Sequence, residues 1–268
     1  MSEPAVVLDD LRAEGDELDE IVGGLSRQKW AWMTSAPRWT IAHQIAHLEW
    51  TDRMALLSVT DPDGFAAEAA KALAAPDTFV DQAAEAGAAL PHTDLLARWR
   101  TGRDLLQKAL RSAPTGTRFP WYGPPMSAAS MATGRLMETW AHGQDIVDAL
   151  GRTRRATARL RHVARIGVRA RDFSFAVRGL AAPGEEFRVE LTPPDGSGSG
   201  EVWTYGPEDA AQRVTGPALD FCLLVTQRAH RADLAVRAEG PDADRWLDIA
   251  QAFAGPPGAG RAPKGAGR

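Results

Sequence analysis

Two groups of side chains in this sequence have the types and spacing needed to hold a cation. In RWTIAHQIAHLEW, Arg38 to Trp50, the residues His43, His47, Trp50, Met54 and Leu57 follow one another in steps of four, three, four and three. They therefore share one face of a helix that starts after Thr40. Imidazoles on such a face need hydrogen-bond or metal partners. Much later in the chain Glu138, His142 and Asp145, spaced by four and three, stack along one side of another helix beside the apolar stripe Leu136, Trp140, Val147 and Leu150. Glu138 and His142, joined by a histidine of the earlier helix, make two imidazoles and a carboxylate. That set suits a catalytic zinc or another divalent first-row metal, because three protein ligands leave coordination positions open, whereas structural zinc normally takes four. Spacing alone does not choose between His43 and His47, and a Glu/His pair one turn apart is also a common surface pair.

The elements that must carry these residues are legible as periodic segments. Val7, Leu11, Leu18, Val22 and Leu25 keep helical spacing up to Gly23-Gly24, and Thr40 is an N-cap for a second helix reaching about Val59. DPDG, Asp61 to Gly64, is expected to turn the chain, and the alanine-rich residues 65–91 to hold a shorter helix. Thr93 is expected to cap a third long helix with Leu96, Trp99, Leu106 and Leu110 on its buried stripe. The breaker PTGTRFPWYGPP, Pro114 to Pro125, ends it, and a fourth helix opens at Ser127 or Ser130 and closes at Gly151 as a C′ residue. Four long helices suggest a bundle. Beyond it, residues 157–179 read as helix, and Glu185 to Pro194 alternates as a strand, pairing across DGSGSG with EVWTYG. A helix over Pro217 to Arg228, a strand in LAVRAEG and a helix over Asp242 to Phe253 complete a small α+β domain. The expected division is 1–155 for the metal-binding bundle, 156–254 for the α+β domain and 255–268 for a disordered tail.

Composition narrows the function classes. The 268 residues carry a formal charge of −4 with both signs interspersed, so nucleic acid is not an expected partner. One cysteine, Cys222, excludes an internal disulfide, and its apolar setting FCLLV marks it as an inert core thiol. An acidic N-terminus and the lack of a long apolar run point to a cytoplasmic protein with no membrane partner, acting on a small molecule as a monomer or homodimer. The Ala, Arg and Gly content fits a GC-rich bacterial source.

The pairing of RWTIAHQIAHLEW with ETWAHGQDIVDALG resembles the N-terminal domain of mycothiol-dependent maleylpyruvate isomerases, within the DinB-like superfamily of metal-binding four-helix bundles. Trp39-Thr40, His47-Leu48 and Glu138 with His142 carry the likeness, which implies that His47 and not His43 is the first ligand. It implies a metal held by His47, Glu138 and His142, most suitably zinc, with mycothiol as co-substrate and Asp145 holding a ligand imidazole or a bound water. VTGPALDFCLLVTQR and WLDIAQAFAGPPG are similar to the sterol-carrier-like α+β domain that follows this bundle in actinobacterial relatives, where an arginine corresponding to Arg228 often ends a helix. Arg228 is thus a candidate catalytic residue, as is Asp145, while Trp121 and Tyr122 in the breaker are candidates for cofactor contact. The expected fold is α+β, a DinB-like four-helix bundle followed by a small sterol-carrier-like domain. The implied activity is metal-dependent thiol transfer or isomerisation on an electrophilic substrate. Two alternatives stand beside it: a secondary-metabolism lyase, cyclase or hydrolase using the same pocket, and a non-catalytic binder of a lipid-like molecule.

Overall fold

The structure is a computed structural model that describes residues 4–195, 200–258 and 260–265. The tip of the expected glycine-rich hairpin, at 196–199, lies outside the described residues. The chain divides into two units, Met1–Thr153 and Arg154–Arg268.

The first unit contains α1 (Pro4–Gly23), the one-turn α2 (Arg27–Trp30), α3 (Ile41–Thr60), α4 (Pro62–Ala74), α5 (Phe79–Ala88), α6 (His92–Ser112) and α7 (Ala128–Ala149). The four long helices, α1, α3, α6 and α7, are the bundle: α3 packs on α6 and α7, and α1 packs on the same two. Thr40 caps α3 as its sequence requires. Two other starts differ from the sequence reading. DPDG does not make a loop: Asp61 accepts from Gly64 N and Pro62 sits in the first turn, so the same residues that end α3 begin α4. Thr93 is not a cap, since α6 already begins at His92 after Pro91 and the Thr93 hydroxyl turns to Asp94. Residues 65–91 hold parts of two helices, broken at Pro76. The breaker before α7 is ordered as the two-stranded pair β1 (Arg118–Phe119) and β2 (Met126–Ser127), and Ser127, not Ser130, caps α7 by accepting from Ser130 N. Gly151 closes the helix with φ of 63°.

Packing in this unit falls into two apolar layers with a polar layer between them along the helices. Leu18, Val22, Ile41, Ile45, Leu95 and Trp99 build one layer. Val7, Leu8, Ala55, Leu106, Leu110 and Met131 build the other. Between them Arg135 Nε donates to Asp52 Oδ1 at 2.8 Å and Arg135 Nη2 to Thr51 Oγ1 at 2.6 Å, with the Arg135 side chain only 3% exposed. Such a pair joins α3 to α7 one turn from the residues that form the candidate site.

The short helix α5 approaches α3 closely. A Cβ built on Gly87 would lie 2.7 Å from the Ala46 Cβ, nearer than two carbons pack. Gly87→Ala is therefore expected to destabilise the fold by about 1–3 kcal/mol despite the gain in helix propensity. The double variant with Ala46→Gly should lose less than the sum of the two single changes, as read by thermal or denaturant unfolding.

The second unit contains α8 (Leu160–Arg169), α9 (Arg171–Ala176), β3 (Arg188–Thr192), β4 (Trp203–Tyr205), β5 (Arg213–Pro217), α10 (Ala218–Val225), β6 (Arg237–Glu239) and α11 (Pro241–Ile249). Its sheet has the order β4-β3-β5-β6, with β3 antiparallel to β4 and parallel to β5, and β5 antiparallel to β6. The helical stretch expected over 157–179 is two helices meeting at Ala170. Strand β5 has no counterpart in the sequence reading. Helix α10 stops before Arg228 because Gln227 adopts φ of 58°, a left-handed residue that lets Arg228 N reach back to Leu223 O. Cys222 is fully buried on α10 with its thiol against Leu160 O, and burial pushes that thiol well above its ordinary range, which keeps it unreactive. Among the described residues of 255–268 there is no helix or strand, but Gly255 O accepts from Gln251 Nε2 and Lys264 N donates to Asp233. Among the described residues no helix is long and apolar enough to cross a membrane.

Candidate metal centre

His47 lies in the second turn of α3, and Glu138 and His142 lie one turn apart on α7, where the packing of these two helices brings them together. One ligand atom from each falls within 4.8 Å of the others. Both imidazoles present Nε2 to the same carboxylate oxygen, Glu138 Oε2, at 3.2 Å from His47 and 3.1 Å from His142. The rings are 4.5 Å apart between centroids. Their side chains are 10%, 21% and 12% exposed for His47, Glu138 and His142, so the group is recessed but reachable. Burial alone would raise the Glu138 carboxyl, yet the hydrogen bonds and positive charge of His142 and His47 outweigh it and hold the group well below the usual carboxylate range.

A hydrogen-bond chain fixes which nitrogen of His142 faces the carboxylate. Thr34 Oγ1 donates to Trp39 O, so it is left to accept from Gln44 Nε2 at 2.9 Å. That sets the amide of Gln44 with Oε1 toward His142 Nδ1, which must be the N–H donor. A neutral His142 then aims a lone pair from Nε2 at a carboxylate oxygen that also carries lone pairs. Two such acceptors stay at 3.1 Å only with a cation between them or beside them, either a proton or a metal. His47 Nε2 meets the same oxygen at 3.2 Å, and its Nδ1 is buried with no hydrogen-bond partner. Two nitrogens and one carboxylate oxygen, converging and partly open, thus fit a divalent first-row metal.

The other expected residues fall in distinct places. His43 is outside the group: it occupies the third position of α3, where its Nδ1 meets the Thr40 hydroxyl and backbone at the cap, and its Nε2 meets Glu85 at 2.9 Å. Asp145, expected to hold a ligand imidazole or a bound water, is buried with Oδ2 4.0 Å from His142 Nδ1, the nitrogen that Gln44 Oε1 also meets. Asp145 supports the ring by charge at that distance. Trp121 stacks on Phe65 with centroids 5.6 Å apart, and its neighbour Pro120 accepts from Ser58, so this part of the breaker anchors the loop to the bundle. Tyr122 packs on Phe65, Phe79 and Trp50, and Trp50 in turn lies 6.0 Å from the His47 ring. Arg228 sits in the second unit, with Nη1 donating to Thr226 O at 2.6 Å.

Three contributors were given no place at the site by the sequence, although Trp39 belongs to the motif that carries the family likeness. Gln44 stands three residues before His47, on the same side of α3, and that spacing was the available signal. Trp39 lies across both ligand rings, 5.3 Å from His47 and 6.0 Å from His142, and its indole N–H is held by Asp81 of α5. Asp81 also pairs with Arg38, whose φ of 69° swings the chain into the cap of α3. Nothing local in the sequence connects Asp81 to Trp39.

Burial raises Tyr122 to about 12, with Glu68 adding to the effect, and burial likewise raises Tyr205 to about 12. These are the two tyrosines of the chain. An alkaline titration of phenolate absorbance on the folded protein should show no component near the ordinary value of about 10. Because both folded values lie above the unfolded one, their contribution to stability is complete below about pH 10 and is lost as pH rises from there toward 12.

Residues 11–147 match the family model described as the mycothiol maleylpyruvate isomerase N-terminal domain, and residues 183–239 match one described as wyosine base formation. An uncharacterized protein of Mycobacterium tuberculosis, found in two strains, is 57% identical over 261 residues, spanning 97% of this chain and 100% of the relative. Two crystal structures of the mycothiol-dependent maleylpyruvate isomerase, one of them of a mutant, superpose with a TM-score of 0.58 at 16% and 15% identity, covering 90% of this chain and 95% of theirs. The fold is therefore that of the maleylpyruvate isomerase, a helical bundle with an α+β second unit. With a match across the bundle that contains all three candidate ligands, the chain belongs to the mycothiol maleylpyruvate isomerase N-terminal domain family.

Proposed function

We propose that this protein is a metal-dependent enzyme that uses a thiol, mycothiol by family membership, to transfer to or isomerise a small electrophilic substrate. The observation that carries this reading is the meeting of two imidazole Nε2 atoms on one oxygen of Glu138, a donor set that suits a divalent cation and is still partly exposed. His47, Glu138 and His142 would hold the metal, with zinc the best match to two nitrogens and a carboxylate. When bound, such a metal acidifies a thiol at its open position, supplying a nucleophile at neutral pH.

The chain's own residues set the conditions for that chemistry. Gln44 fixes the tautomer and orientation of His142 and so keeps Nε2 available as a ligand. Trp39, held by Asp81, covers one side of both rings and excludes water there. Trp50 and Tyr122 continue the aromatic wall. Tyr122, raised to about 12, stays a neutral hydroxyl able to donate a hydrogen bond to a bound thiol or substrate. Trp121 is placed as support for Tyr122, with a ring contact of 5.1 Å. Asp145 contributes charge beside His142, and Arg228 is proposed as a substrate contact from the family resemblance alone.

The test mixes the zinc-loaded protein with mycothiol and an electrophilic unsaturated acid such as maleylpyruvate, following conjugate and isomer by mass spectrometry and absorbance. Product formation that disappears on chelation and returns with zinc is expected. A rate equal to that of the chelated protein, or to thiol alone, would remove the proposed activity.

A further inference from the structure

The second unit has a cavity of about 580 Å³, within the roughly 300–1,000 Å³ of small-molecule sites, that involves none of the residues discussed as metal ligands. Its wall combines two kinds of surface. Leu224, Leu234, Val236 and Leu247 supply aliphatic contact. Arg178, Arg231, Arg237 and Arg261 bring four guanidinium groups against two carboxylates, Asp244 and Asp248.

The carboxylates are already committed. Arg231 pairs with Asp248 at 2.7 Å and with Asp244, and also donates to Asp244 O at 2.9 Å. Among the described residues no carboxylate pairs with Arg178 or Arg237, whose recorded hydrogen bonds go to the backbone carbonyls of Ser174 and Val236. Arg178 is partly buried two residues past the end of α9, and burial pushes its guanidinium below the ordinary range, as expected of a desolvated cation without a counter-charge. Cations gathered on an aliphatic hollow favour a ligand that satisfies both.

We propose that this cavity binds a small amphipathic organic anion, with its carboxylate or phosphate at Arg178 and Arg237 and its aliphatic body on Leu224, Leu234, Val236 and Leu247. The proposal does not rest on the metal chemistry, since none of the lining residues is a candidate ligand. It would serve as a regulatory or carrier site for an acyl or phosphorylated metabolite.

Calorimetric titration of the full-length protein tests it with octanoate, octyl phosphate and inorganic phosphate. The same titrations on His47→Ala remove any contribution of a carboxylate bound at the metal. Saturable binding of octanoate or octyl phosphate at one per chain, unchanged in His47→Ala and weakened at least about tenfold in Arg178→Gln and in Arg237→Gln, is the expected result, a factor close to one charge-assisted hydrogen bond. Inorganic phosphate should bind more weakly than its octyl ester. Which octyl compound binds more tightly tells a carboxylate ligand from a phosphorylated one. No saturable binding by either octyl compound, equal affinity in both arginine variants, or phosphate binding as tightly as octyl phosphate would overturn the proposal. Both substitutions are at partly or fully exposed positions, and a thermal melt confirms that each variant is folded before titration.

Discussion

Replacing His47 by Ala is expected to abolish tight metal binding and, with it, thiol-dependent turnover, while leaving the bundle folded. Among the described residues His47 is the one candidate ligand on α3, and the remaining pair on α7 spans one helical turn with a shared face. Two donors from one helix cannot enclose a cation. Glu138→Ala should act as strongly, because it removes the one negative charge that both imidazoles face. Gln44→Leu separates ligand loss from orientation loss. It keeps all three donors but frees the His142 ring, so a drop in affinity of roughly 10–100-fold is expected, smaller than for either ligand variant. His43→Ala, by contrast, should retain metal and lose only stability at the start of α3, since its ring belongs to the cap. Metal content after gel filtration and competition with a chromophoric chelator provide the measurement.

The second large effect is on stability. Arg135→Leu leaves Asp52 buried without its counter-charge and leaves the Thr51 hydroxyl without its donor, between two apolar layers. The expected cost is about 3–5 kcal/mol, read from denaturant midpoints at constant slope. Asp52→Leu alone strands the guanidinium and should cost a similar amount. The double variant Asp52→Leu with Arg135→Leu should recover most of the loss, because removing both charges removes the desolvation penalty together with the attraction. Its position suggests why the pair is present. It ties α3 to α7 close to where His47 and Glu138 must meet, so a folded double variant should bind metal less tightly than the native chain does.

The parts of the fold that follow a period were readable in the sequence, and the parts that depend on distant contacts were not. Leu18 with Val22 and Leu96 with Trp99 announce helices because one face must be apolar for the bundle to close. At DPDG the break came where the sequence placed it, but the aspartate and proline that make a turn are also the best opening for a new helix, which the period did not announce. Strand β5 was missed because Arg213–Pro217 carries a proline and a glycine within five residues, and only its pairing with β3 makes it a strand. At the site, helical spacing brought Glu138 and His142 together, and the family likeness chose His47 over His43. Gln44 and Asp81 act through partners 98 and 42 residues away, His142 and Trp39, and no local pattern encodes such contacts.

X-ray absorption at the metal edge of the zinc-loaded protein, recorded before and after addition of mycothiol, probes the centre itself. Two imidazole nitrogens and a carboxylate oxygen at about 2.0–2.2 Å are expected first, then one sulfur at about 2.3 Å once thiol is present. A spectrum without imidazole scattering, or a filled four-ligand shell that takes up no sulfur, would contradict a thiol-binding centre on His47, Glu138 and His142.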